Sequence, residues 1–288
     1  MTTAAAAIAD VPTSRAEKRL LVPVLALPVL ALLLPCLVAP LLLMIRISVG
    51  GGRIGLDGFT FDRFGEVLSD PYYLGSLGVT LFIALLTALG SLALALPLAY
   101  VMLRQPRWRM VIIGSLIGPL VISVVVRLYG WQLLLSESGP VNNLIALVFG
   151  DEARMMFIGS WSGVVITMIH TLLPYACIAI FNSMQSIGPG VTEAAQTLGA
   201  NPWQVFLKVV LPLSARGIAT GTVLVFALSA TSFIVPAVMG AGRVNTFPML
   251  IYQQATALNF PAAAALAVVL LVLLLPLSAL STRGRDIA

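Results

Sequence analysis

His170 is the only histidine in this chain, Lys18 and Lys208 the only lysines, and Cys36 and Cys177 the only cysteines. That inventory excludes most catalytic chemistry. One imidazole cannot assemble a histidine-based metal cluster. Both cysteines fall inside apolar runs and neither stands in a Cys-x-x-Cys pair, so neither a disulfide nor a thiolate metal site is expected. No glycine-rich loop runs into Lys-Ser or Lys-Thr, so the chain lacks a cradle for nucleotide phosphates and is not expected to hydrolyse ATP. No serine stands in a Gly-x-Ser-x-Gly elbow. The chain reads as a non-enzyme that binds no metal or cofactor itself. What remains are isolated polar residues in apolar surroundings, notably Arg127, His170, Ser229 and Ser232, and one mixed segment over residues 193–212.

The elements that must position these residues follow from composition. Of 288 residues, 59% are hydrophobic and 9% charged, with a mean hydropathy of +1.04. Soluble proteins carry roughly 25% charged residues, so this is a polytopic helical membrane protein. The net charge of +5 then reflects charge sorting across a bilayer rather than affinity for nucleic acid. A helix needs about twenty apolar residues to cross. Six segments qualify: about 20–45, 72–103, 110–128, 158–181, 218–239 and 261–280. The first holds Pro23, Pro28, Pro35 and Pro40 and is expected to kink. It has no small-residue cleavage site, so residues 1–19 read as a polar lead into a retained span. The second is longer than the membrane is thick and must tilt or protrude. Residues 46–71, with a short helix near 61–68, residues 129–157, with an apolar stretch at 141–149, and residues 240–260 read as exposed loops on one side. Residues 182–215 form a loop on the other side, one membrane domain covers 20–282, and a basic tail, 283–288, ends the chain.

Charge fixes the orientation. With the N-terminus inside, interior segments hold ten bases and four acids, and exterior segments six bases and seven acids, a net +6 against −1. The positive-inside rule places both termini in the cytoplasm, and with them residues 182–215.

That loop contains E-A-A-Q-T-L-G-A-N-P-W-Q-V-F-L-K-V-V-L-P over residues 193–212. Pro189 suits a first helical turn, and Glu193 the positive end of a helix dipole. Ala194 and Ala195 form helix without bulk. Gly199 fits the left-handed position that ends a helix. Asn201-Pro202 then reads as a cap and first-turn proline of a second helix, running through Val210 and ended by Pro212. The pattern resembles permease subunits of bacterial ABC importers, whose cytoplasmic loop has the form E-A-A-x3-G-x9-I-x-L-P. Glu193, Ala194, Ala195, Gly199, Leu211 and Pro212 match in register, with Val209 in place of Ile. In that family the loop is the coupling helix that docks on the ATPase subunit. The resemblance implies that role here, with Glu193 fixing the hairpin by capping or an ion pair and the small residues permitting close docking.

Arg127 ends the third predicted span in a run with Tyr129 and Trp131, followed by Gly139 and Asn142. This resembles the spermidine/putrescine branch of the same permeases. Two readings of Arg127 stand: it lines an external gate or pairs with an acid such as Glu137, or it snorkels to headgroups while Tyr129 and Trp131 anchor the interface. His170, near the middle of the fourth span, either lines a pathway or hydrogen-bonds a neighbouring helix through Thr167 or Thr171. Ser229, Ser232 and Phe233 either line the pathway or hold helices together. Phe233, Pro236 and Gly240 follow a pattern of the family. Some polyamine-type members carry an acid just before that Phe, where this chain has Ser232.

The resemblance implies an inner-membrane permease of the ABC importer type I fold, an all-α bundle of six spans. Its implied partners are a second permease, identical or homologous, ATPase subunits that use ATP and Mg, and a periplasmic solute-binding protein delivering a polyamine or related organic solute. Two other classes compete. A stand-alone secondary transporter would need an internal proton or ion relay, yet no acid lies within any predicted span. A purely structural membrane protein would have no reason for the register of residues 193–212.

Overall fold

The structure, a computed structural model, describes residues 15–52 and 57–283, and the side-chain surroundings of residues 31–52 and 57–276. Most of the polar lead 1–19 and of the tail 283–288 therefore lies outside the described residues. Those described are helical almost throughout, with an isolated bridge between Gly51 and Asp57.

Helices α1 (Arg15–Ser48) and α2 (Asp62–Ser69) lead into α3 (Pro71–Arg104). Asp70 caps α3, its carboxylate accepting from Tyr72 N at 2.8 Å, with Pro71 in the first turn. There follow α4 (Pro106–Val121), α5 (Val124–Leu135), α6 (Pro140–Phe149) and α7 (Trp161–Gln185). Three short pieces, α8 (Pro189–Thr197), α9 (Pro202–Val205) and α10 (Leu211–Leu213), form the hairpin. The chain then runs through α11 (Ala215–Thr231), α12 (Ile234–Met239), α13 (Phe247–Thr256) and α14 (Phe260–Arg283).

The centre is α3 packed on α7 and α11. One stripe of α3 is small: Ser76, Thr80, Ala84, Ala88, Ser91, Ala95 and Ala99 are all buried. In lipid, where burial of apolar surface drives little association, such a stripe lets backbones approach and gather dispersion contacts. Gly217 does the same on α11. A Cβ there would overlap Ser183 Cβ of α7 and sit 3.2 Å from Ala179 O. At the opposite edge α1 packs chiefly on α14 and leaves Leu32, Leu33 and Leu37 exposed, a surface suited to hydrocarbon.

By length and hydropathy α1, α3 and α7 could each cross a membrane, two bent pairs make up to five, and Phe260–Pro276 of α14 is a shorter apolar helix. The bends alter two predicted spans. The third does not continue to residue 128. Helix α4 stops at Val121, and the chain from Val124 turns 106° away. Ile122 and Ser123 are extended at ψ 136° and 135°, one turn past Pro119, which supplies no N–H to the helix ladder. The fifth also breaks: Ser232 is extended at ψ 131° between α11 and α12. Irregular backbone at membrane depth is tolerated where it lines a cavity or is covered by protein.

Candidate functional site

The hairpin is built locally and anchored at a distance. Gly199 takes φ +88°, while Gly199 N bonds Gln196 O at 2.9 Å and Ala200 N bonds Ala195 O at 3.1 Å, closing α8. Asn201 and Gln204 then form a reciprocal capping box. Gln204 N donates to Asn201 Oδ1 at 2.8 Å, and Asn201 N to Gln204 Oε1 at 3.0 Å. Val205 and Val210 are buried against Met102, Ile180 and Met184. The Phe206 ring lies 4.7 Å from Tyr100 of α3, whose hydroxyl donates to Pro202 O at 3.4 Å. Arg109 covers the Phe181 ring at 4.7 Å, tying the basic turn between α3 and α4 to the same end of α7.

The matched loop residues do not share one surface. Glu193, Ala194, Gly199 and Pro212 are exposed, whereas Ala195 and Leu211 are half-buried against the bundle. Glu193 caps nothing, because it lies in the second turn of α8 and the N-cap is Gly188. Among the described residues its carboxylate joins no ion pair. Pro212 does not end the second helix. Residues Phe206–Val210 widen into a π turn, in which Leu211 N bonds Phe206 O, and the helix continues to Leu213. The wider turn relieves the clash between a helical proline and the carbonyl four residues earlier. Ser214 closes the segment, with both its N–H and hydroxyl donating to Val210 O at 2.9 and 2.7 Å. On the outer side, Leu198 is 88% and Trp203 67% exposed. A depression of about 290 Å³ beside Leu198 is lined by Ala195, Gly199, Gln204 and Lys208.

A second candidate site lies where the two helix breaks face α7. Because α5 turns back at Ser123, Arg127 meets the middle of α7, beside Thr171, Leu172 and Tyr175. It lines a cavity of about 250 Å³ with Thr171, Tyr175, Ser232 and the apolar Leu120 and Val235. Its Nε and Nη1 are buried and have no hydrogen-bond partner among the described residues. It is not paired with Glu137, which is exposed between α5 and α6 and whose backbone carbonyl accepts from Arg154 at 2.9 Å.

The other predicted pathway residues divide. Ser232 reaches the cavity. Ser229 is buried against Met168 Sδ at 3.1 Å. Phe233 stacks on Tyr252 with centroids 5.2 Å apart and does not line the Arg127 cavity. Tyr129 is exposed. His170 does not bond through Thr167 or Thr171, whose hydroxyls bond carbonyls one turn back in α7. Its Nδ1 accepts from Trp131 Nε1 at 3.2 Å. Gly139 and Asn142 form a clasp. Asn142 bonds Ser136 O and both backbone groups of Met155 at 2.9–3.0 Å. Tyr175, Tyr100 and Phe206 were not singled out by sequence, since nothing local distinguishes them from other aromatic residues in apolar helices.

A family model described as the binding-protein-dependent transport system inner membrane component matches residues 4–283. The chain belongs to that family. The chain is 31% identical over 188 residues to the spermidine/putrescine transport system permease protein PotB of Salmonella typhimurium (strain SL1344), an alignment covering 64% of each chain. It is 28% identical over 208 residues to the inner membrane ABC transporter permease protein YdcU of Escherichia coli (strain K12), covering 68% of this chain and 66% of that one. It therefore spans about 64% of the length of the first of these relatives. A chain from the crystal structure of a bacterial alginate ABC transporter, in complex with an alginate pentasaccharide-bound periplasmic protein, superposes with a TM-score of 0.76 over 94% of this chain and 95% of that one, at 20% identity. The likeness shows a shared fold.

Proposed function

We propose that this chain is the permease subunit of an ATP-driven ABC importer in the bacterial inner membrane, with both termini in the cytoplasm. It pairs with a second permease, identical or homologous, and two ATPase subunits, and receives its solute from a periplasmic binding protein. The observation that carries this reading is the hairpin. A locally capped elbow presents Leu198, Trp203 and small residues outward, while Val205, Phe206 and Val210 bind it to α3 and α7. A surface of that kind suits docking, and the anchoring suits transmission of its movement to the bundle. ATP and Mg act on the partner subunits. Closure of the ATPase pair displaces the hairpin, and the bundle shifts between inward- and outward-facing states.

Relatives named for spermidine and putrescine make a polyamine or a related small organic solute the class to test. The decisive variant is Gly199→Asp. Nothing lies within 4 Å of a Cβ at this position, so the bundle has room for it. The φ of +88° nevertheless penalises any L residue, and the new carboxylate enters the exposed elbow. ATP-dependent uptake is expected to be lost while the protein stays folded in the membrane. Wild-type uptake by this variant would remove the docking role, and failure of any ATPase to co-purify with the wild-type chain would remove the importer reading.

A further inference from the structure

Arg127 presents two buried guanidinium nitrogens that none of the described residues answers. A guanidinium at membrane depth normally faces an acid, a backbone carbonyl or water-filled space. Here Nε and Nη1 are buried and bond to none of the described residues. None of the elements around the cavity supplies a carboxylate: α4, α5, α7, α11 and α12 contain no Asp or Glu. The surrounding polar groups are hydroxyls, from Thr171, Tyr175 and Ser232, and the remaining wall is apolar. Thr171 already donates to Thr167 O, whereas Tyr175 and Ser232 bring O–H donors to the same space. Donors and positive charge therefore converge on a cavity of about 250 Å³ bordered by two helix breaks. That composition repels a polycation and matches a planar oxyanion, which a guanidinium can hold through two parallel N–H bonds.

We infer that this cavity is an anion-accepting site in the translocation path, in which Arg127 receives a carboxylate of the transported solute and Tyr175 and Ser232 donate to it. The inference rests on the importer reading and narrows its solute. Among small organic solutes related to polyamines, the one accepted here carries a carboxylate.

The test compares γ-aminobutyrate and succinate with putrescine, three four-carbon probes that differ in having one, two or no carboxylates. With the purified permease–ATPase complex in nanodiscs, γ-aminobutyrate or succinate raises the permease's thermal unfolding midpoint by about 2 °C at ten times the half-saturating concentration. Putrescine at the same concentration does not. Arg127→Gln abolishes the rise. Ser232→Asp, which keeps Arg127 and places a carboxylate in the cavity wall, also abolishes it and covers the case in which Arg127→Gln fails to assemble. A wild-type complex indifferent to both carboxylates, or an undiminished response in Arg127→Gln, overturns the inference. So does a response by the full-length chain alone that vanishes in the complex, since an acid of a neighbouring subunit would then occupy the site. Each of these outcomes leaves co-purification of the ATPase intact, whereas failure of the importer reading shows as its loss.

Discussion

In the hairpin, Asn201 and Gln204 answer one another, Ser214 answers Val210, and Ala200 closes the helix end at Ala195, all within five residues. In the cavity, Arg127 lies beside groups from α7 and α12 that are distant in sequence, and its buried nitrogens answer to none of them. The first region is complete without a ligand, so it can move as one body and carry force. The second is incomplete, so its energy depends on what enters. The proposed importer role calls for both: a stiff part that reports the state of an ATPase partner and an unsatisfied part whose occupant distinguishes one state from another.

The comparison breaks most readily at Phe206. Its ring is 9% exposed, between Tyr100 and Trp203, and joins the hairpin to α3. Phe206→Ala should cost about 3–5 kcal/mol of the local packing. The expected result is ATP hydrolysis that persists while uptake falls sharply, because the hairpin still docks but no longer pulls on the bundle. Hydrolysis and uptake that fall together would show that the hairpin and bundle were never separable in this way.

The opposite sign is expected at Arg127. Arg127 Nε and Nη1 are buried with no partner among the described residues, and replacing buried ionic groups by well-packed apolar ones is often stabilising by about 1–4 kcal/mol. Arg127→Met should therefore raise the thermal midpoint of the solute-free protein while impairing transport. A large loss of stability would mean that the guanidinium already has a counter-charge in the assembled membrane complex.

These two regions were unequally legible in the sequence. The turn at Gly199 and the cap at Asn201 could be read because each is decided within four or five residues, by a left-handed φ and a reciprocal side-chain bond. Pro212 was misread as a stop because the π turn before it depends on Val205, Phe206 and Val210 packing below the hairpin. Arg127 was placed at a membrane boundary because residues 110–128 are continuously apolar up to it. The break at Ile122 and Ser123 does not fall on a breaker residue, because Gly118-Pro119 lies a turn too early. The all-helical fold was legible from composition, but the mutual packing of α3, α7 and α11 was not.

Trp131 offers the smallest effect and the finest discrimination. It stands one turn beyond Arg127 on α5, yet its indole N–H is directed to His170 Nδ1 rather than into the cavity. If that bond only ties α5 to α7, Trp131→Phe keeps most of the ring contact, now 5.1 Å between centroids, and loses one donor. The expected cost is about 1 kcal/mol, with the carboxylate response of the complex unchanged. His170→Phe should cost a similar amount, and the double variant less than the sum of the two, since one bond is removed twice. A Trp131→Phe variant that keeps its stability but responds differently to γ-aminobutyrate would assign the pair to the cavity. Arg127 would then share its work with the neighbouring imidazole, and the division between a complete region and an incomplete one would have to be drawn further along α5.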